Sequence, residues 1–193
     1  MAVFTRVDPV ELQSLLTSLG FGRLLSITEV ADGVENSTYF IEVARLSTSE
    51  SPARFVLTLL EAGNRQQAEY STALVQWLQR AGLAVPHLLS DASGAALHRL
   101  SGKPALISQR IDGAHPQQIT AIHCRAMGEF LGAMHAAGDG FPLKHNNLQG
   151  LPWASVTLKT LLRKLPANAQ LPAGDQALLQ EQIERYSCRF VPR

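Results

Sequence analysis

Ala31-Asp32-Gly33-Val34-Glu35-Asn36-Ser37-Thr38-Tyr39-Phe40-Ile41-Glu42-Val43 is the stretch on which the fold turns. Tyr39, Ile41 and Val43 recur at a period of two, the mark of a half-buried strand, and Leu24 to Val30 supplies a strand before them. Between the two, Gly33 can take a positive φ, and Asn36 and Ser37 set short polar side chains beside exposed backbone N–H groups. Turn amides aimed at one point form an anion-binding concavity. Gly33, Val34, Glu35, Asn36 and Ser37 therefore read either as a phosphate-binding hairpin tip or as an ordinary β-turn.

Outward from the hairpin, composition bounds the rest. The chain has 193 residues, 46% hydrophobic and 17% charged, enough core for one large domain or two small lobes. Net charge is +1, with basic residues scattered and no aromatic-laced basic stripe, which excludes nucleic-acid and anionic-membrane partners. Cys124 and Cys188 cannot form a zinc site alone, and no His-x-x-x-His spacing occurs, so no metal is expected on imidazole or thiolate ligands. The start lacks the features of a secretory leader, and the apolar run Phe55 to Leu60 is too short to cross a bilayer. A cytoplasmic, reducing setting is the expectation; oligomeric state is not legible.

Asp8-Pro9-Val10-Glu11 reads as a helix start, with Asp8 as cap, Pro9 at the first helical position and Glu11 closing a capping pair. Leu12, Leu15, Leu16 and Leu19 follow helical spacing up to Gly20. Gly20-Phe21-Gly22 is helix-stop chemistry rather than a dinucleotide motif, because it follows a helix and lacks the third glycine. Arg54 to Glu61 is a third strand. A helix follows, capped by Asn64 with Gln67, carrying Tyr70, Leu74, Trp77 and Leu78 on one face and ending at Gly82. Val85 to Leu89 reads as a short extended segment and Lys103 to Arg110 as a further strand, with Pro104 at its edge or start. Strands wrapped around one helix give an antiparallel α+β lobe over residues 1–110. Ile111 to Pro116 reads as a hinge, and residues 117–193 as helical. Thr120 caps a helix in which Met127, Phe130, Leu131 and Met134 share a core-facing side; Asp139-Gly140-Phe141 is a turn; further helices span about 155–165 and 174–186.

With those residues in view, the chain resembles the homoserine kinases of the aminoglycoside-phosphotransferase-like superfamily. Six collinear stretches carry the likeness: Met1 to Thr5, Gly33 to Ser37, Phe55 to Leu59, Gly102 to Ala105, Leu131 to His135, and Asn147 to Leu151 with Trp153. The resemblance implies a protein-kinase-like bilobed fold, its helical second lobe incomplete here. It also implies transfer of the ATP γ-phosphoryl group to the hydroxyl of L-homoserine, with Mg²⁺, in threonine biosynthesis. A kinase needs a flap over the phosphates and a hinge strand facing the base; Gly33 to Ser37 supplies the first, and Ser108, Gln109 and Arg110 the second.

Two departures stand out. Thr58 occupies the strand position where a protein kinase has its phosphate-binding lysine, and no lysine precedes Lys103. Thr58 joins the nucleotide-binding set with one neutral hydrogen bond, and Arg54 or Arg65 is the expected substitute cation. The family's His-x-Asp loop and later metal-binding Asp are also not found, since His145-Asn146-Asn147 holds no acid. No catalytic residue and no Mg²⁺ ligand is therefore assigned, and the chain reads as cut short and inactive alone. The competing readings are another small-molecule hydroxyl kinase, of choline or aminoglycoside type, and a non-catalytic remnant of the fold.

Overall fold

In the computed structural model, the described residues are 3–31, 35–44, 51–62, 65–145, 156–157, 160–161, 163 and 172–189, with backbone alone at 186–189. Among them, five antiparallel strands form one sheet in the order β1-β2-β3-β5-β4. The strands are β1 (Leu24–Glu29), β2 (Ser37–Val43), β3 (Ala53–Leu59), β4 (His98–Leu100) and β5 (Lys103–Gln109). Helix α1 (Pro9–Ser18) precedes the sheet, α2 (Arg65–Arg80) lies between β3 and β4, and α3 (Ala121–Gly138) and α4 (Ala173–Arg189) follow it. The fold class is α+β, as the order of elements implies.

Alternation sorts the sheet into two faces. Ser37, Tyr39, Ile41 and Val43 on β2, Phe55, Leu57 and Leu59 on β3, and Ala105 and Ile107 on β5 are buried, and Leu12 and Leu16 of α1 close over the same core. Each fully buried leucine or isoleucine contributes about 1.5–3 kcal/mol relative to exposure. Register holds the alternation across strands, with Ile41 opposite Phe55 and Leu57 opposite Ile107. Helix α1 starts as expected, Asp8 Oδ1 accepting from the Val10 amide at 2.9 Å. It ends at Gly20, φ +76°, where the Gly20 amide reaches Thr17 O and the Phe21 amide reaches Leu16 O. That double bond pattern is the Schellman stop, and Gly82 repeats it after α2.

Three expectations need correction. Glu11 closes no capping pair; its carboxylate accepts the Ser101 amide at 2.9 and 3.0 Å and the Ser101 hydroxyl at 3.1 Å. Ser101 (φ 49°) and Gly102 (φ 75°) form the two-residue turn between β4 and β5, and such turns need left-handed backbone at both positions. The expected order of elements had no strand at 98–100: residues 85–89 meet β5 through the single bridge of Leu88 to Ser108, and the fourth strand is His98–Leu100. Among the described residues nothing closes over the middle of the α3 face, where Met127 is 58% exposed and Leu131 40%. Its C-terminal end is held by Trp77 Nε1 donating to Ala137 O at 2.7 Å, with Phe141 just beyond it edge-on to Tyr70.

By density of contacts the chain divides into residues 1–144 and 145–193, so the hinge residues 111–116 lie within the first unit. They run as exposed irregular backbone. In the second unit, 156–157, 160–161 and 163 are helical, and α4 leaves Leu178 and Leu179 exposed. Asp139-Gly140-Phe141 is a turn, with the Phe141 amide on Gly138 O.

Candidate nucleotide-binding face

The sheet face opposite the core carries the polar and half-buried partners of each buried residue. Thr38 and Phe40 on β2, Val56 and Thr58 on β3, and Leu106 and Ser108 on β5 all lie on it, none fully buried. Register orders them along the strands. Thr38 faces Thr58 and Thr58 faces Leu106 near the hairpin; Phe40 faces Val56 and Val56 faces Ser108 nearer the hinge. The result is a strip with hydroxyls at one end, an aromatic and aliphatic floor in the middle, and hinge backbone beyond. Strand pleating alone places Thr58 on this strip.

At the hairpin end, Gly33 and Val34 lie outside the described residues. Glu35 is exposed and Asn36 half-buried. Asn36 Oδ1 accepts the Glu61 amide at 3.3 Å. Ser37 is fully buried with its side chain on the core face, opposite to Thr58. Its hydroxyl donates to Glu61 Oε1 at 2.6 Å and accepts the amides of Phe4 and Thr5 at 2.8 and 3.0 Å. The structure therefore gathers Asn36 and Ser37 into the stem of the hairpin and turns the Ser37 side chain away from the strip. Tyr39 closes the same corner, donating to Thr5 O at 2.7 Å, and burial, with Glu29 nearby, pushes its phenol pKa up.

The two candidate cations part company. Arg54 is opposite Glu42, five residues along β2 from Ser37, roughly 16 Å at strand spacing. It pairs there with Asp112 of the hinge, Nη2 to Oδ2 2.7 Å. Arg65 instead opens α2, where it bonds Glu69 at 2.6 Å and lines a hollow of about 220 Å³ with Pro104 and His98 near the start of β5. Glu69, which Thr58 cannot engage, thus takes its cation from its own helix. At the hinge end, the Arg110 guanidinium lies 4.0 Å over the Phe40 ring, crossing β3 on the open face, while the Arg110 amide donates to Arg54 O. Ser108 and Gln109 bring their backbone to the same end. A cleft of about 610 Å³ sits beside the hinge on the core side, lined by Phe21, Phe55, His87 and Gln109 among others, and Thr58 takes no part in it.

Among the described residues, no group of three or more acidic, histidine or cysteine side chains comes together. Glu61, whose carboxylate packs against the stem of the hairpin, is already filled by Ser37, Thr5 and Lys103. The residue that sequence reasoning missed is Glu61 itself, whose signal was an acid closing the expected third strand. The Asn147 to Trp153 stretch lies outside the described residues. No helix among the described residues is long and apolar enough to cross a membrane.

Comparison with known proteins agrees with this architecture. The chain is 37% identical over 170 residues to a homoserine kinase of Pseudomonas aeruginosa (strain LESB58), covering 88% of this chain and 52% of that protein. It is 35% identical over 194 residues to a homoserine kinase of Polaromonas naphthalenivorans, covering 100% of this chain and 59% of the relative. The chain thus spans little more than half the length of the curated relatives it matches. Among solved structures it is similar to a macrolide 2'-phosphotransferase type I, at TM-score 0.54 and 14% identity over 95% of this chain and 62% of that one. It is likewise similar to a spectinomycin phosphotransferase in complex with ADP and spectinomycin, at TM-score 0.55 and 11% identity over 95% and 59% of the two chains. The family model described as the phosphotransferase enzyme family matches residues 26–190. The chain belongs to the phosphotransferase enzyme family.

Proposed function

We propose that this chain carries the ATP-binding half of a homoserine kinase, with the nucleotide along the open face of the sheet. The observation that carries this reading is the strip itself, which runs from Thr38 and Thr58 beside the hairpin to the backbone of Ser108, Gln109 and Arg110 at the hinge. A triphosphate suits the hairpin end and a purine the hinge end. Phosphoryl transfer relies on positioning and charge stabilisation, so backbone donors at a flap count as much as side chains. In this assignment Gly33, Val34 and Glu35 lie nearest the phosphates, and Thr58 donates one hydrogen bond. Asn36 and Ser37 shape the stem, and Arg65 is the better placed of the two arginines to supply charge.

The homoserine acceptor rests on the relatives at 35–37% identity, which bear that name. No acid aligned with an acceptor hydroxyl is offered by His145-Asn146-Asn147. The expected behaviour is therefore nucleotide binding without turnover. Calorimetric titration of the 193-residue chain with ATP in magnesium buffer, followed by an ADP-release assay with L-homoserine, choline and an aminoglycoside, tests both parts. Binding with no acceptor-dependent ADP is the expected result. Absence of heat at millimolar ATP overturns the nucleotide reading, and turnover on choline rather than homoserine overturns the acceptor.

A further inference from the structure

Past the Thr58 row, the open face continues into the small hollow of about 220 Å³ lined by Arg65, Leu97, His98, Arg99 and Pro104. Register explains its place. Leu106 faces Thr58, and Pro104 lies two residues from Leu106 along β5, on the same face and about 7 Å away at strand spacing. Arg99 stands opposite Pro104 on β4, an edge strand of the sheet. Its neighbour Leu100 is fully buried in the core, so pleating puts Arg99 on the open face. Arg65, the first residue of α2, completes the hollow.

Charge sets this hollow apart. None of its lining residues is acidic, and among the described residues Arg99 has no carboxylate partner. Arg65 bonds Glu69 through Nε at 2.6 Å, which leaves both terminal amino groups of its guanidinium for another acceptor. His98 uses Nε2 on Leu89 O at 2.9 Å, and Lys103 belongs to the opposite face, where Glu61 holds it at 3.0 Å. An arginine on an edge strand can discourage pairing with another sheet, but that role needs no second cation beside it. Two guanidiniums next to the apolar walls of Leu97 and Pro104 repel each other unless an anion lies between them.

We propose that this hollow binds a phosphoryl anion, gripped by the Arg99 fork and by the open edge of Arg65. A guanidinium offers parallel N–H donors at the spacing of phosphate oxygens, and two of them meet a doubly charged group better than one. The anion is either the outer phosphates of a nucleotide lying along the strip or a separate small phosphate compound, and the two are recognised by the same chemistry. The site stands whether or not the nucleotide reading does, since the probe that tests it carries no base.

The test is a phosphorus NMR titration of the full 193-residue chain with inorganic pyrophosphate, in magnesium-free buffer at fixed salt. Wild type is compared with Arg99→Gln, Arg99→Lys and Arg80→Gln. Arg80 ends α2, about 22 Å along the helix from Arg65, so its loss removes the same charge outside the hollow. Arg99→Gln is expected to weaken pyrophosphate about fivefold, and Arg99→Lys by less, because the charge stays and the fork is lost. Arg80→Gln should stay within about twofold of wild type. Equal losses in Arg99→Gln and Arg80→Gln would mean general attraction and overturn the site. So would an unchanged affinity in Arg99→Gln, or a wild type that ignores millimolar pyrophosphate. Parallel titrations with ATP and adenosine identify the source. If ATP displaces pyrophosphate and Arg99→Gln weakens ATP but not adenosine, the hollow holds the nucleotide's own phosphates. If pyrophosphate binds alongside saturating ATP, it holds a separate phosphate compound. A chain that binds pyrophosphate but not ATP keeps this site and loses the nucleotide reading.

Discussion

Replacing Arg110 by alanine probes the hinge end of the strip with a defined sign. The guanidinium lies 4.0 Å above the Phe40 ring, in the middle of the face where a purine would stack. A base entering that position must lift the cation off the ring. An exposed cation–π contact is worth about 0.5–1 kcal/mol, which corresponds to roughly a two- to fivefold change in affinity. The Arg110 amide bond to Arg54 O belongs to the backbone and survives the substitution. Adenosine should therefore bind Arg110→Ala about two- to fivefold more tightly than wild type. Phe40→Ala should bind it more weakly, because the floor under the base is lost. Competition calorimetry at fixed salt reads both. Weaker adenosine binding by Arg110→Ala would mean that the guanidinium stacks on the base instead of filling its place, and would refute the reasoning.

Three other expectations concern the scaffold. Glu11→Ala should lower stability by about 1 kcal/mol, the usual size for partly exposed charge-assisted bonds. Urea unfolding should find a smaller loss in a Ser101→Gly background, where the hydroxyl contact is gone and glycine holds the left-handed turn unaided; equal losses would deny the link. Glu61, whose folded pKa lies below its unfolded value, contributes stability that is present above the unfolded pKa near 4.3 and is lost as pH falls through the folded value. Urea midpoints between pH 7 and 3 should show that loss in wild type and a flatter profile in Glu61→Gln. Trp77→Phe removes the bond to Ala137 O and should speed amide exchange at the end of α3 without affecting β3 or β5, a contrast that hydrogen-exchange mass spectrometry resolves.

The parts of the fold that were legible in sequence are those where one period dominates. Tyr39, Ile41 and Val43 fixed a face, and Thr58 followed from counting two residues at a time along β3. Strand β4 escaped because His98, Arg99 and Leu100 are too few to show a period. The Glu11 side chain escaped for a different reason: a cap acts over three residues, and its actual partner is Ser101, ninety positions away. Met127 was expected in a core because its spacing is helical, but spacing names a face and not what covers it. At the candidate site, the sequence identified the strands that flank the hairpin and the strand that ends at Gln109. The roles within them, such as a buried Ser37 against an open-facing Thr58, depend on which side of the pleat each falls, which becomes fixed only once register is known.

The knot at Glu61 has a practical meaning for anyone handling this protein. Residues 3–5 resemble a loose front end, the sort of segment trimmed for convenience or fused directly to a tag. Yet Phe4 and Thr5 supply two amides and a hydroxyl to the point where the hairpin is moored. Trimming through Thr5 would strip three donors from Ser37 and Glu61, so any preparation lacking those few residues would lose the anchorage of the first residue of β2.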